Sequence, residues 1–392
     1  MAVLSTKKVH SNDFFRKVSN YLKGYDYVQI FAIVTLFAIG LTFIYSTGKQ
    51  VGSPLATGAW IKQIQWIVVS FVAWGFFAAT DYRHLKPSTI FFYAVTILLL
   101  IAVLFMGEKI NGAQRWLVFK PLKLRLQPSE LTKLSVVLFL SSVLSTHGFN
   151  INKFRNMLII TGIILLPFLL IAKEPDLGSS LILIPLSGFI IFAAGLKWRY
   201  IIIAVSTVLI LLTAEIINEV YQIRPLLKTY QKERVLTFLD PERDLNNRGY
   251  NQFQAKLAVG SGGLTGKGIG KGTQNTLGFL PQSVSNNDFI FSVIAEETGF
   301  FGCLVLMGIY LLLFYSLLRT AFSTPDHFGR YIAIGMTGIF FAHSFINMGM
   351  SAGLTPVTGL SLPFVSYGGS FIISGMCGLG ICQSVYRHKH DI

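Results

Sequence analysis

Asp288 is the side chain whose position best suits acid–base work. It follows Asn286 and Asn287 and precedes Phe289-Ile290-Phe291, where a long polar stretch gives way to an apolar run. A carboxyl at that point reads as an N-cap that accepts backbone N–H bonds from the new helix. The second reading is a base at the water–membrane boundary; the cap comes first from residue chemistry alone, and the two are compatible. Glu296 falls about 12 Å further along the same helix at 1.5 Å per residue, nearer the Asp288 face than Glu297. Ionisable groups inside a spanning helix are costly and mark function by default; a paired structural role is the alternative.

Cations form the second group. Glu130 and Lys133 open a helix behind Gln127-Pro128-Ser129. Their i,i+3 spacing lets them pair, and Pro128 suits a first helical turn. They fit a cap with an ion pair, or the charged wall of a polar cavity. Arg115 and Trp116 follow Asn111-Gly112-Ala113-Gln114. A guanidinium can hold phosphate oxygens through two parallel bonds, and Trp suits the interface belt. Lys123 and Arg125 lie in the same loop.

Other motifs read first as architecture. Lys173-Glu174-Pro175-Asp176-Leu177-Gly178 is a tight acidic turn, its Pro and Gly marking the bend. The segment Gly260–Gly278 lacks the G-x-x-x-x-G-K-[ST] pattern of a nucleotide loop and reads as a flexible loop whose backbone approaches a ligand. Leu362-Pro363-Phe364-Val365-Ser366-Tyr367-Gly368-Gly369-Ser370 puts Pro and paired Gly in an apolar run, which permits a kink or close packing. His343 and Asn347, at i,i+4, read as polar groups packed between helices. Cys303, Cys377 and Cys382 have no metal-ligand spacing.

The elements that must position these residues are membrane helices. Of 392 residues, 52% are hydrophobic and only 13% charged, against about 25% charged in soluble domains. About 20 apolar residues span a bilayer. That length predicts an all-α bundle of about ten spans, near Tyr27–Tyr45, Ile61–Ala79, Thr89–Met106, Leu131–Leu144, Met157–Ala172, Ser179–Leu196, Trp198–Ile217, Phe289–Leu318, Tyr331–Ser351 and Leu360–Val385. The eighth is long enough to kink around Gly299 and Gly302. Residues 1–26 form a basic segment with no cleavage site after it, 27–386 the membrane domain and 387–392 a tail.

The net charge of +15 sits mostly in short loops, where it sets topology and meets anionic lipid, so nucleic acid is not the expected partner. Arg83, Lys86, Lys153, Arg155, Lys197, Arg199, Arg319, Arg330 and Arg387 fall on one side. This predicts that both termini are cytoplasmic. Two outer loops break the rule: about 107–130, rich in Lys and Arg, and the long loop 218–288 between the seventh and eighth spans. Cations placed against the topological rule call for a bound anion, and a pyrophosphate-bearing ligand fits.

Together these segments resemble the SEDS family of peptidoglycan glycosyltransferases, in its rod-shape rather than its division branch. The resemblance rests on Asn111–Trp116, Gln127–Lys133, Glu174–Gly178, Gly260–Gly266, Asp288–Glu297 and Leu362–Ser370, in that order. It implies a ten-helix fold in the bacterial inner membrane with the site on the extracytoplasmic side. It implies polymerisation of lipid II into glycan strands by β-1,4 transfer, with undecaprenyl pyrophosphate released. Asp288 looks like the family's essential aspartate and general base, Glu130 and Lys133 like its cavity pair, and Arg115 like its outer-loop arginine.

The resemblance further implies a class B penicillin-binding protein and the elongation machinery as partners. Arg115, Lys133, Lys123 and Arg125 are the candidate ligands of the diphosphate. A divalent cation, Mg or Mn, could share that task, with Asp288 and Glu296 as the carboxylates to hold it. The family writes Leu-Pro-Glu-x-His-Thr-Asp before Phe-Ile-Phe; this chain writes Leu280-Pro281-Gln282-Ser283-Val284-Ser285-Asn286-Asn287-Asp288. The rival classes are a lipid II flippase, since carriers also use intramembrane acids and broken helices, and a non-catalytic scaffold for a transpeptidase.

Overall fold

The computed structural model describes residues 24–50, 58–110, 113–119, 124–203, 206, 207, 210, 213, 214 and 248–390. Apolar runs become helices because a backbone in lipid must satisfy its own polar groups. The chain opens with α1 (Tyr27–Thr47) and α2 (Ala59–Ala79). A 3-10 turn (Tyr82–Ser88) then feeds α3 (Thr89–Met106). Three short strands follow: β1 (Glu108–Ile110), β2 (Ala113–Phe119) and β3 (Leu124–Leu126), antiparallel in that order. Then come α4 (Pro128–Leu144), α5 (Phe154–Lys173) and α6 (Leu177–Ala193).

After residues 215–247, α7 (Arg248–Ser261), α8 (Thr273–Thr276) and α9 (Gln282–Ser285) lead into the long α10 (Ile290–Ser323). The chain closes with α11 (His327–Ser351) and α12 (Gly369–Arg387). The expected seventh span, Trp198–Ile217, is helical at 198–203, 206, 207, 210, 213 and 214, and otherwise lies outside the described residues. So does the charged stretch Lys228–Asp244.

Seven described helical segments are long and apolar enough to cross a membrane: α1, α2, the 3-10 turn with α3, α5, α10, α11 and α12. This is a multi-pass membrane protein. Helices α11 and α12 are 72% buried over their most apolar windows and α2 only 17%, which puts the first two at the bundle centre and α2 against lipid. Shorter α4 carries Glu130 and Lys133 among buried neighbours, and its start at Pro128 places both in the first two turns.

Aspartates fix several helix ends. Asp26 caps α1, accepting from Val28 N at 3.0 Å, and its other oxygen accepts from Ser316 Oγ at 2.7 Å. Arg319 pairs with it at 2.6 Å. Asp326 caps α11 through Gly329 N at 3.0 Å and also accepts from Tyr82 Oη at 3.0 Å. Such caps answer the orphan N–H groups that every helix start leaves.

The cation-rich stretch 107–130, in an otherwise helical chain, carries the β1–β3 sheet. The expected tenth span is helical only from Gly369, the start of α12, and not from Leu360; residues 360–368 run non-helically because Pro363 cannot donate to a helix and Phe364 takes a φ of +63°. The kink expected around Gly299 and Gly302 is present, and it falls at Gly299, with φ +67° and ψ −163°.

Candidate active site

Asp288 sits in the turn between α9 and α10, half-buried. The N-cap expectation misses by one residue: Phe289 holds the cap position and makes no side-chain cap bond. The turn is fixed instead through its main chain. Asn347 Nδ2, one turn along α11 from His343, donates to the Asp288 carbonyl at 2.8 Å and to that of Leu360 at 2.7 Å. Ser366 Oγ donates to the Asn287 carbonyl at 2.6 Å, and the Tyr367 amide to that of Asn286 at 2.9 Å. A Cβ placed on Gly359 would lie 3.5 Å from Asp288 Oδ2. The 359–367 segment therefore forms one wall beside the carboxyl.

Glu130 and Lys133 pair as their spacing predicts, 2.8 Å apart on α4 and both buried. Lys133 Nζ also lies 2.9 Å from His343 Nε2, while His343 Nδ1 lies 3.1 Å from the Ser361 carbonyl. A carbonyl only accepts, so Nδ1 carries the proton and Nε2 accepts from the ammonium. The Phe371 ring stands 5.3 Å from Nζ. A small cavity opens beside Glu130 and Lys133, bounded by Met336, Ile339, Phe371 and Ser374. His343 and Asn347 do act as polar packing groups. On one face of α11 they link Lys133 to the Asp288 turn.

Arg115, on β2, reaches the acidic turn. Its guanidinium donates to the Pro175 carbonyl and stands 3.7 Å from Asp176 Oδ1. Asp176 caps α6 through Ser179 N at 3.2 Å and accepts from Gln127 Nε2 at 3.2 Å. A side chain on Gly178 would strike the Thr358 carbonyl and Leu360. The turn thus braces the same 358–360 segment that flanks Asp288. Glu174 is buried there, and neither carboxyl oxygen finds a hydrogen bond among the described residues. Burial first, then the charge of Asp176, pushes its pKa up to about 9, against the pull of Arg115. Arg125 is exposed, and its carbonyl accepts from Ser370 Oγ at 3.3 Å. Lys123 lies outside the described residues.

Glu296 and Glu297 face the glycine-rich segment. Glu296 Oε1 accepts from Lys267 Nζ at 2.7 Å, Thr273 Oγ1 at 2.9 Å and Gln274 N at 3.1 Å. Glu297 accepts from Ser46 Oγ at 2.5 Å and Gly270 N at 2.9 Å. The break at Gly299 explains why. It frees carbonyls before it and N–H groups after it, and each must find a partner. Lys267 N and Gly268 N take the carbonyls of Glu296 and Glu297 at 3.0 and 2.9 Å; Phe300 N and Phe301 N donate to Gly263 and Leu264 at 2.9 and 3.2 Å. The glycine-rich segment is thus bound to α10. At Gly266, where φ is +76°, a Cβ would collide with the Glu297 carbonyl.

For a divalent cation the fit is poor. Glu296 Oε1 is engaged by three donors, and among the described residues no three His, Cys, Asp or Glu side chains converge.

Comparison with known proteins identifies the family. The profile of the FtsW/RodA/SpoVE family, described as "Cell cycle protein", matches residues 27–391. Peptidoglycan glycosyltransferase MrdB of Escherichia coli (strain K12) is 42% identical over 300 residues, 76% of this chain and 78% of that protein. Peptidoglycan glycosyltransferase RodA of Treponema pallidum is 30% identical, covering 93% and 98%. Among solved structures, a chain from a study of "structural coordination of polymerization and crosslinking by a peptidoglycan synthase complex" superposes with TM-score 0.78 at 29% identity, covering 94% of this chain and 99% of that one. The rod-shape-determining protein RodA of Thermus thermophilus gives 0.68 at 27% identity, covering 93% and 98%. The chain belongs to the FtsW/RodA/SpoVE family, the membrane-embedded peptidoglycan glycosyltransferases of cell-wall synthesis and cell shape.

Proposed function

We propose that this chain polymerises lipid II at the extracytoplasmic face of the bacterial inner membrane, with Asp288 as general base. The acceptor sugar hydroxyl attacks the donor's anomeric carbon. Asp288 takes the hydroxyl proton as the new glycosidic bond forms, and the bond to undecaprenyl pyrophosphate breaks. A single displacement inverts the sugar carbon. Base assistance of this kind contributes about 10²–10⁴-fold. The diphosphate departs as an anion and needs neutralising charge more than a proton, which Arg115, Lys133, Lys123 and Arg125 are in sequence positions to supply.

The observation that carries the reading is the setting of Asp288: a half-buried residue at the mouth of α10 whose own carbonyl and the two before it are each held from the 347 and 366–367 region. Catalytic groups need such a rigid mounting. Glu130 and Lys133 line a small cavity, and His343 joins Lys133 to the α11 face that also holds the Asp288 turn. Glu296 contributes by holding the glycine-rich segment and, as a substrate contact, through that segment.

The topology of the proposal is ten spans with cytoplasmic termini, supported by the distribution of Lys and Arg over the loops. A class B penicillin-binding protein is the proposed crosslinking partner within the elongation machinery; the complex containing the 0.78 neighbour couples polymerisation to crosslinking. Purified protein with labelled lipid II, with and without that partner, is the test. Glycan strands from the native chain support the reading, and labelled lipid II that changes leaflet without polymer overturns it.

A further inference from the structure

We propose that Asn347 and Ser366, with the Tyr367 amide, form a clamp that sets the position of Asp288 by gripping the main chain, which makes Asn347 and Ser366 positioning residues for glycosyl transfer. The inference rests on the reading of Asp288 as base.

Three successive carbonyls, those of Asn286, Asn287 and Asp288, accept bonds from Tyr367 N at 2.9 Å, Ser366 Oγ at 2.6 Å and Asn347 Nδ2 at 2.8 Å. The donors are themselves fixed. Ser366 Oγ accepts from Leu362 N at 2.8 Å, and Asn347 also donates to the Leu360 carbonyl at 2.7 Å. Gln63 of α2 ties down the far end of the segment: its Nε2 donates to the Ser366 carbonyl at 3.2 Å, and its Oε1 accepts from Gly368 N at 3.3 Å. Asn347 and Gln63 are buried, so these bonds do not compete with water.

The grip makes no use of the side chains it holds. Asn287 turns its amide back to the Ser283 carbonyl at 3.0 Å, and the Oδ1 atoms of Asn286 and Asn287 find no hydrogen bond among the described residues. A turn held by its peptide groups can change side chains without moving. This is why the stretch before Asp288 can depart from the family pattern while Asp288 keeps its place.

The test combines kinetics with hydrogen–deuterium exchange of the peptide spanning 284–292 in the full-length protein. Ser366→Ala and Asn347→Ala are each expected to speed exchange there and lower kcat about 10- to 100-fold, with KM within about twofold, since a misplacement of about 1 Å can cost that much. Ser366→Thr, which keeps the hydroxyl, restores both. Added to Asp288→Asn, neither change lowers the residual rate further. Native kcat in both alanine variants overturns the proposal. So does a kcat loss with unchanged exchange that follows a fall in thermal midpoint and is not rescued by Ser366→Thr. Asp288→Asn working at the native rate overturns the base reading alone; raised exchange in the alanine variants then still supports the clamp, and unchanged exchange overturns it.

Discussion

Asn347 and Asp288 meet through an amide and a carbonyl, 2.8 Å apart, and the same amide reaches Leu360 at 2.7 Å. One turn back on α11, His343 contacts Lys133 at 2.9 Å. A single helix face therefore connects the proposed base to the buried cation. The consequence is mechanical: a shift of that α11 face would disturb both the Asp288 turn and Lys133.

The Glu130–Lys133 pair is buried, so removing one member leaves a charge without its partner. Lys133→Ala is expected to cost about 3–5 kcal/mol of stability, whereas Glu130→Gln with Lys133→Met recovers most of it. Activity stays lost in the double variant. Thermal unfolding in detergent, read beside polymerisation, checks both; a double variant as unstable as Lys133→Ala sinks the pairing argument.

Arg115 braces the acidic turn through Pro175 and Asp176. Arg115→Lys keeps the charge but loses the planar fork. It should lose about 1–3 kcal/mol and lower kcat more than it raises KM, because the turn supports the wall beside Asp288. A pure KM effect with unchanged stability would contradict the bracing role and leave Arg115 only its proposed contact with the diphosphate.

Glycine substitutions separate two kinds of position. Gly262→Ala and Gly266→Ala would drive a methyl into the backbone of Ala295 and of Glu297, while Gly260→Ala meets nothing within 4 Å. The first two should detach the glycine-rich segment from α10 and expose 262–272 to limited proteolysis. Gly260→Ala should leave cleavage and activity as in the native chain, and equal sensitivity of all three would contradict the clasp.

Glu174 gives a pH dependence. Its pKa rises from 4.5 to about 9 on folding, so between those values the folded protein binds a proton that the unfolded chain has lost. Stability from this group is fully present below about 4.5 and falls as pH rises towards 9. Melting curves at several pH values should flatten over that window in Glu174→Gln. An unchanged slope would mean that Glu174 is already ionised in the folded protein.

Much of this was legible in the residues. Glu130 and Lys133 could be paired from i,i+3 spacing, and a break near Gly299 from a glycine in an overlong apolar run, because both depend on local geometry. The partners of Glu296 and Glu297 were not legible. They are set by where α10 breaks and which segment satisfies the freed peptide groups. Nor was the helix start after Ser366: an apolar run that spans and one that packs non-helically against a turn have the same composition. The N-cap reading of Asp288 missed for a related reason, since distant donors hold the turn by its carbonyls.

The most direct measurement is the rate at which purified Asp288→Asn polymerises labelled lipid II, set beside the native chain at matched folding and partner content. The account predicts a loss of about 10²-fold or more, with lipid II still bound. Polymer formed at the native rate would contradict it.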